Sequence, residues 1–315
     1  MAKKAPKKSI GKKNFDLSSF KKTNGMDITV KEKDLTWIPM SDSFHEALKI
    51  PGLARGYFTS FRGYSNTGKS TAIYEAVAGA QKIGDLPVII ETESNWSWEH
   101  AKNIGVKFEE VIDEETGEII DYEGDFIFMN SDDLLQRYKF VDYSNGKEGT
   151  KQLRGEPVIE DVARIISDLL DAQEDGDLPR NLCFLWDSVG SINGFKSVNK
   201  VIKHKGGEAF FYSPRVIVHF GGILSHSTVK LKATSGGETY QFGIETKVRC
   251  EKNQVNGIEE HGKLASTPHG YWNPTKIDDY KKQHKDYILK RLNTTLDDFV
   301  IEKEEQGFGM DDLGE

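Results

Sequence analysis

The run Gly63-Tyr64-Ser65-Asn66-Thr67-Gly68-Lys69-Ser70 has the pattern G-x-x-x-x-G-K-S. Glycines let a backbone curl so that successive N–H groups face one anion, which is how such a loop cradles phosphate. The Lys69 ammonium then supplies a point charge to the β- and γ-phosphates, and the Ser70 hydroxyl supplies a ligand to Mg2+. Thr71 carries the junction into the next element. Chemistry of this type needs a second metal-holding acid at the end of a neighbouring strand, and a group that orients the attacking water. Asp187, which ends the apolar run 182–186 and precedes Ser188, fits the first requirement. Glu91 and Glu93 both follow the apolar run that begins at Leu86, and either fits the second. The cofactors expected are ATP and Mg2+.

These side chains act together only if strands and helices deliver them to one place. Residues 56–62 (GYFTSFR) are aromatic and β-prone and run straight into Gly63, as a strand feeding the loop should. Residues 71–83 have alanine-rich helical spacing that stops at Gly84. Residues 86–91, 126–129 and 182–186 read as short apolar strands, and 98–104 as a helix. Apolar residues at Val158, Val162, Ile165, Ile166, Leu169 and Leu170 predict an amphipathic helix over 158–173. Residues 38–53 suggest a turn, a short helix and a Pro-Gly break. Residues 113–124 suggest an acidic hairpin-like insertion with no evident chemistry. From 210 to 250 the pattern is strand-rich, and 277–292 read as a charged helix. There are no internal repeats.

The chain has 315 residues, 37% hydrophobic and 29% charged, in the range of a globular protein with a polar surface. Cys183 and Cys250 both fall in apolar strand-like runs, which implies buried thiols and a reducing compartment rather than a disulfide framework. No apolar run approaches the roughly 20 residues of a membrane helix, and the basic N-terminus has no apolar stretch behind it. A cytoplasmic protein without a membrane partner is expected. The net charge of −8 argues against nucleic acid taken alone, but its distribution argues otherwise. Lys3, Lys4, Lys7, Lys8, Lys12, Lys13, Lys21, Lys22, Lys31 and Lys33 make a basic arm, whereas Asp297, Asp298, Glu302, Glu304, Glu305, Asp311, Asp312 and Glu315 make an acidic tail. Such ends suit an electrostatic partner with self-screening, or simply two solvated termini.

The order of motifs resembles one family. IPMSDSFHEALKIPGLARG (38–56), ETESNWSWEHAKNIGV (91–106), LCFLWDSVGS (182–191), GGEAFFYSPRVIV (206–218) and FGIETKVRCEKNQ (242–254) are similar, in that sequence, to segments of the RecA-type recombinases, including the phage UvsX-like branch. The resemblance implies an α/β fold: a RecA-like P-loop ATPase core with a mostly parallel central sheet flanked by helices, and antiparallel strands toward the C-terminal part. Residues 1–34 would be a flexible basic arm, 35–274 the core, and 275–315 a charged helix and acidic tail. It implies a DNA-dependent ATPase that binds single-stranded DNA as a homo-oligomeric filament and promotes homologous pairing, in a host cytoplasm if phage-encoded. Glu93, rather than Glu91, matches the catalytic glutamate, and Asp187 the Mg2+-linked aspartate. His100 falls where the family places a ring against adenine, with Trp98 a rival. Lys252 matches a lysine that reaches the neighbouring subunit's ATP, although Gln254 stands where a companion lysine is expected. Gly206 and Gly207 match the pair closing the second DNA-binding loop.

One departure from the family pattern is large. Only residues 188–205 (SVGSINGFKSVNKVIKHK) separate the Asp187 motif from the glycine pair, where the family fits a helix, a loop and a further strand lying between the loop strand and the Asp187 strand. A parallel crossover takes about a dozen residues before its return strand begins. The reading therefore implies a gap in the sheet beside the nucleotide. Lys196, Lys200, Lys203, His204 and Lys205 form a basic cluster there, which fits phosphate backbone or an ordinary solvated loop. Two other readings stand beside the recombinase: a shortened, non-catalytic nucleotide- or DNA-binding accessory protein, and a RecA-fold helicase-type motor.

Overall fold

The computed structural model describes residues 16–23, 35–142, 147–148, 155–194, 213–221, 228–294 and 299–305. Two units divide the chain, Met1–Leu35 and Thr36–Glu315. In the first, helix α1 (Leu17–Thr23) carries Lys21 and Lys22 in its last turn, where cations meet the negative end of the helix dipole.

The second unit opens with β1 (Trp37–Pro39), α2 (Asp42–Leu48) and β2 (Gly52–Ala54). Ser41 caps α2 by accepting a hydrogen bond from the Phe44 N–H, and β1 and β2 pair antiparallel around it. The helix matches the sequence reading; the two flanking strands were too short to show a period. Strand β3 (Thr59–Gly63) leads into α3 (Lys69–Ile83), which ends at a left-handed Gly84. Next come β4 (Leu86–Glu91), α4 (Trp98–Ile104), the hairpin β5 (Phe108–Ile112) and β6 (Ile119–Gly124), β7 (Ile127–Asn130) and α5 (Ser131–Tyr138). After the short pair β8 (Val141–Asp142) and β9 (Lys147–Glu148) the chain forms α6 (Ile159–Glu174) and β10 (Leu182–Asp187). The remainder is β11 (Val216–Phe220), β12 (Thr228–Ser235), β13 (Glu238–Asn253), β14 (His261–Thr267), β15 (Gly270–Trp272), α7 (Ile277–Gln283), α8 (Lys285–Arg291) and β16 (Val300–Glu305).

The parallel pairing is not gathered in one central sheet. Strands β10, β4 and β7 form an all-parallel three-stranded sheet, with Asp187 in register with Glu91. A separate seven-stranded sheet runs β15-β14-β13-β11-β3, with β12 and β16 joined beyond β13. It is antiparallel except where β11 pairs β3, Phe220 opposite Gly63. Among the described residues no strand pairs with the second edge of β3 or of β10. Helix α3 packs on β3, β4 and β10, so one helix spans both sheets.

The burial pattern explains why these segments take these places. In β4, Ile89 faces the cluster of Tyr74, Val77, Ala80 and Leu185 under α3, whereas Val88 and Ile90 face Leu134, Val162 and Ile165 of α5 and α6. A strand covered on both faces reads as a continuous apolar run, because its period of 2 has no solvent side to reveal. The opposite side of α3 joins α2 and the larger sheet through Phe44, Leu48, Ala72, Val218, Phe220 and Tyr271. Tyr280 and Ile288 pack against Leu231 and Phe242.

Two differences from the sequence reading lie toward the C-terminus. The helix expected over 277–292 is broken at His284 into α7 and α8. Part of the segment read as an acidic tail is strand β16, paired with β12. No helix among the described residues is long and apolar enough to cross a membrane. Cys183 and Cys250 are buried and not joined in a disulfide.

Candidate nucleotide-binding site

The loop 63–68 leaves β3 with φ +144° at Gly63, turns left-handed at Asn66 (φ +57°) and again at Gly68 (φ +89°), and enters α3 at Lys69. A methyl group at position 63 would lie 2.2 Å from the Phe220 carbonyl oxygen, so the glycine is required by close approach as well as by backbone angle. The buried Thr67 hydroxyl holds the curl by donating to the Tyr64 carbonyl at 2.8 Å. Helices α2, α4 and α5 are each capped by a side chain, from Ser41, Ser97 and Asn130. Helix α3 has no side-chain cap and no acid in its first turn. Its first N–H groups, together with the positive end of its dipole, suit an anion supplied from outside the chain.

The acids converge on this end. Ser70 donates a hydrogen bond to Asp187. Burial raises the Asp187 carboxyl above the usual carboxylate range, the Ser70 bond opposes the rise, and nearby Glu93 and Glu91 reinforce it. Burial lowers the Lys69 ammonium, against the pull of Asp187 and Glu93. Lys69 Nζ donates to the Tyr64 carbonyl, a bond that a phosphate oxygen can replace. The crossing between β4 and β10 is held by Thr92, whose N–H donates to the Asp187 carbonyl at 2.8 Å and whose hydroxyl accepts from Trp186 Nε1 at 3.0 Å.

The two glutamates that the sequence left as alternatives have different surroundings. Glu91 is 3% exposed, and its carboxylate accepts the N–H groups of Glu93, Ser94 and Asn95 at 2.9, 3.0 and 3.2 Å. That carboxylate is committed to shaping the turn. Glu93 is presented at the surface, where it accepts from Ser188 Oγ and from Asn95 Nδ2 at 3.2 Å. Of the pair, Glu93 is the one whose oxygens are free to exchange partners with water.

Beside the loop lies an open cleft of about 340 Å³ whose walls include His100, Asn103, Ser266, Thr267, Pro268 and Tyr287. It connects to α3 through Ser266, whose hydroxyl bonds that of Thr71 at 2.5 Å. His100 stacks near Tyr74 and meets the Thr267 carbonyl at 3.2 Å, so Nε2 carries the proton; burial lowers its pKa. Its rival Trp98 points into a different group, stacked on Tyr122 at 4.3 Å. Asn103 Nδ2 is buried on the cleft wall without a protein acceptor among the described residues. These features fit a nucleotide: uncapped N–H groups and Lys69 for phosphates, the neighbouring cleft with His100 on its wall for a base, and Ser70 with Asp187 for Mg2+. No cluster of three His, Cys, Asp or Glu residues suited to a metal occurs among the described residues. Mg2+ in such sites takes one or two protein ligands and fills its other positions with phosphate oxygens and water.

Lys252 is not brought to this loop. It pairs with Ile217 in β13, whereas the loop leaves beside Phe220, roughly 10 Å further along β11. Lys196, Lys200, Lys203, Lys205, Gly206 and Gly207 lie outside the described residues. The sequence reading missed Asn103, Ser266, Tyr271 and Glu75. The Tyr271 hydroxyl donates to the Gly68 carbonyl at 2.6 Å, and the Tyr271 N–H donates to Glu75 at 2.7 Å. Ser266 of β14 and Tyr271 of β15 are paired across the hairpin, far away in the chain, and no local spacing announces them.

No protein-family model matches the chain. Similarity to curated proteins was found with RecA of Acidothermus cellulolyticus, 36% identical over 219 residues, covering 68% of this chain and 53% of that protein. A plasmid RecA of Lactococcus lactis subsp. lactis is 25% identical over 207 residues, covering 64% and 54%. RecA of Syntrophobacter fumaroxidans is 36% identical over 66 residues, covering 21% of this chain and 19% of that protein. The chain therefore spans about half the length, or less, of the relatives it matches. It is a distant relative of proteins named RecA.

Proposed function

We propose that this chain is an ATP-dependent DNA recombinase of the RecA type, related to the phage UvsX-like branch, that binds single-stranded DNA as a homo-oligomeric filament and promotes homologous pairing. The observation that carries the reading is the convergence of Lys69, Ser70, Asp187 and Glu93 at the uncapped start of α3. In it, residues 63–71 cradle the phosphates, His100 and Asn103 line the base site, and Ser70 and Asp187 hold Mg2+, which supplies charge neutralisation to the phosphates. Glu93 orients the attacking water and Lys69 neutralises charge on the departing phosphoryl group. Lys252, which lies roughly 10 Å along the sheet from its own loop, suits a neighbouring subunit's nucleotide. Lys196, Lys200, Lys203 and Lys205, with Gly206 and Gly207, are assigned to DNA.

A second reading is favoured by the edges of β3 and β10, which no strand among the described residues pairs: a shortened accessory protein that binds nucleotide and DNA without turnover. ATP hydrolysis measured with and without single-stranded DNA separates the two. Stimulated hydrolysis that is lost in Lys69→Ala supports the recombinase, and nucleotide binding without hydrolysis supports the accessory protein. Unwinding of a forked duplex without homologous pairing would instead support a helicase-type motor.

A further inference from the structure

Glu75 sits in the second turn of α3 and is 6% exposed. One carboxylate oxygen accepts the Tyr271 N–H at 2.7 Å and the other accepts the Ser41 N–H at 3.1 Å. Ser41 is the N-cap of α2. The backbone comes close on the Tyr271 side: a methyl at Gly270, where φ is +91°, would lie 2.9 Å from the carboxylate. The same Tyr271 passes its hydroxyl to the Gly68 carbonyl at 2.6 Å, at the residue where the phosphate loop becomes helix. A chain of hydrogen bonds thus runs from α2 through Glu75 and Tyr271 to the loop.

We propose that Glu75 is a positioning residue for nucleotide binding: its carboxylate fixes the β14–β15 turn so that Tyr271 holds the Gly68 carbonyl, and its protonation loosens the loop. The inference rests on the reading of 63–70 as a nucleotide loop. As a carboxylate, Glu75 accepts both N–H groups. Protonation removes the negative charge and weakens Glu75 as an acceptor for both N–H groups, that of Tyr271 included. The groups facing Glu75 are Ser41 from the start of α2 and the backbone and phenol of Tyr271 from β15; among the described residues no charged side chain contributes to its environment. Burial raises its pKa to about 7, against the bonds from Tyr271 and Ser41, so the change falls near neutral pH.

The test compares the full-length wild type with Glu75→Gln and Tyr271→Phe, using a fluorescent ATP analogue with Mg2+ between pH 6 and 9. The wild type should bind about fivefold more tightly at pH 8 than at pH 6, the worth of about one hydrogen bond. Glu75→Gln should lose that pH step, and Tyr271→Phe, which keeps the carboxylate, should weaken binding at both pH values. The same pH step in wild type and Glu75→Gln overturns the proposal. Hydrogen exchange of the loop amides without nucleotide gives an independent readout. If the wild type binds no nucleotide, the nucleotide reading fails. The positioning role then stands or falls on whether loop protection, corrected for intrinsic rates, rises between pH 6 and 8 in wild type but not in Glu75→Gln.

Discussion

The two sheets contribute to the candidate site in different ways. The three-stranded parallel sheet gives carboxylates at the ends of buried strands, Asp187 from β10 and the Glu91–Glu93 turn from β4. The larger sheet gives backbone and scaffold: the glycine where β3 opens into the loop, and Ser266 and Tyr271, which brace the start of α3. Acids at buried strand ends concentrate charge where water is scarce, so small rearrangements there change chemistry. Backbone approaches such as Gly63 against Phe220 fix shape, so changes there alter stability first. The site depends on α3, which packs on both sheets.

Substitutions on each side should break this contrast apart if it is wrong. The largest expected effect is at Glu93. Glu93→Gln should lower ATP turnover by about 100-fold or more, the scale of a lost acid–base group, while its melting temperature stays near that of the wild type. An unchanged turnover would remove Glu93 from the reaction. On the scaffold side, Gly63→Ala should cost about 3 kcal/mol in denaturant unfolding, from the close approach to the Phe220 carbonyl and the positive φ together. A cost under about 1 kcal/mol would mean that β3 and β11 can shift apart. Smaller than either is the effect of Glu91→Ala, which leaves three backbone N–H groups without their acceptor and should cost about 2 kcal/mol in stability. Neighbouring glutamates would then be separated by experiment into one that acts on turnover and one that acts on folding.

The parallel sheet was the more legible region. Its strands are short apolar runs, two of them ending in acids, and their length and flanking turn residues favour strand over buried helix. Helix α4 matches the predicted span 98–104, and the acidic insertion read at 113–124 is the turn and second strand of the hairpin β5–β6, whose first strand starts at Phe108. The larger sheet was harder to read. Strands β14 and β15 were not foreseen, because HGKLAST and GYW are too polar or too short to show a period. Their contribution to the site is non-local: Ser266 and Tyr271 meet α3 across most of the chain. The choice between Glu91 and Glu93 was also hidden from spacing, since both sit at a strand end. In the structure, the three N–H groups gathered on Glu91 and the exposure of Glu93 tell them apart. Strand β16 was masked by charge, for VIEKEE reads as a solvated acidic run until Lys230 and Lys232 of β12 are placed opposite it.

That outer edge offers the smallest and most easily checked effect. Glu245 of β13 is buried and is held by Lys263 at 2.6 Å and by Lys303 of β16 at 2.8 Å. Burial alone would raise its carboxyl; the two lysines outweigh that and hold it below the usual range. A carboxyl depressed in the folded state stabilises the fold above its unfolded pKa, and that contribution disappears as pH falls through the folded value. Lys303→Ala should therefore cost about 1 kcal/mol at pH 7, modest because Lys303 is half-exposed and Lys263 remains. The difference from wild type should shrink as the pH falls below the usual carboxylate range and through the depressed folded-state value of Glu245. Denaturant unfolding at pH 7 and at pH 3.5 measures this directly. A loss that is equal at the two pH values would mean that β16 is anchored by its strand pairing and apolar contacts rather than by the buried charge. The edge of the larger sheet would then behave like its interior, where shape rather than charge decides stability.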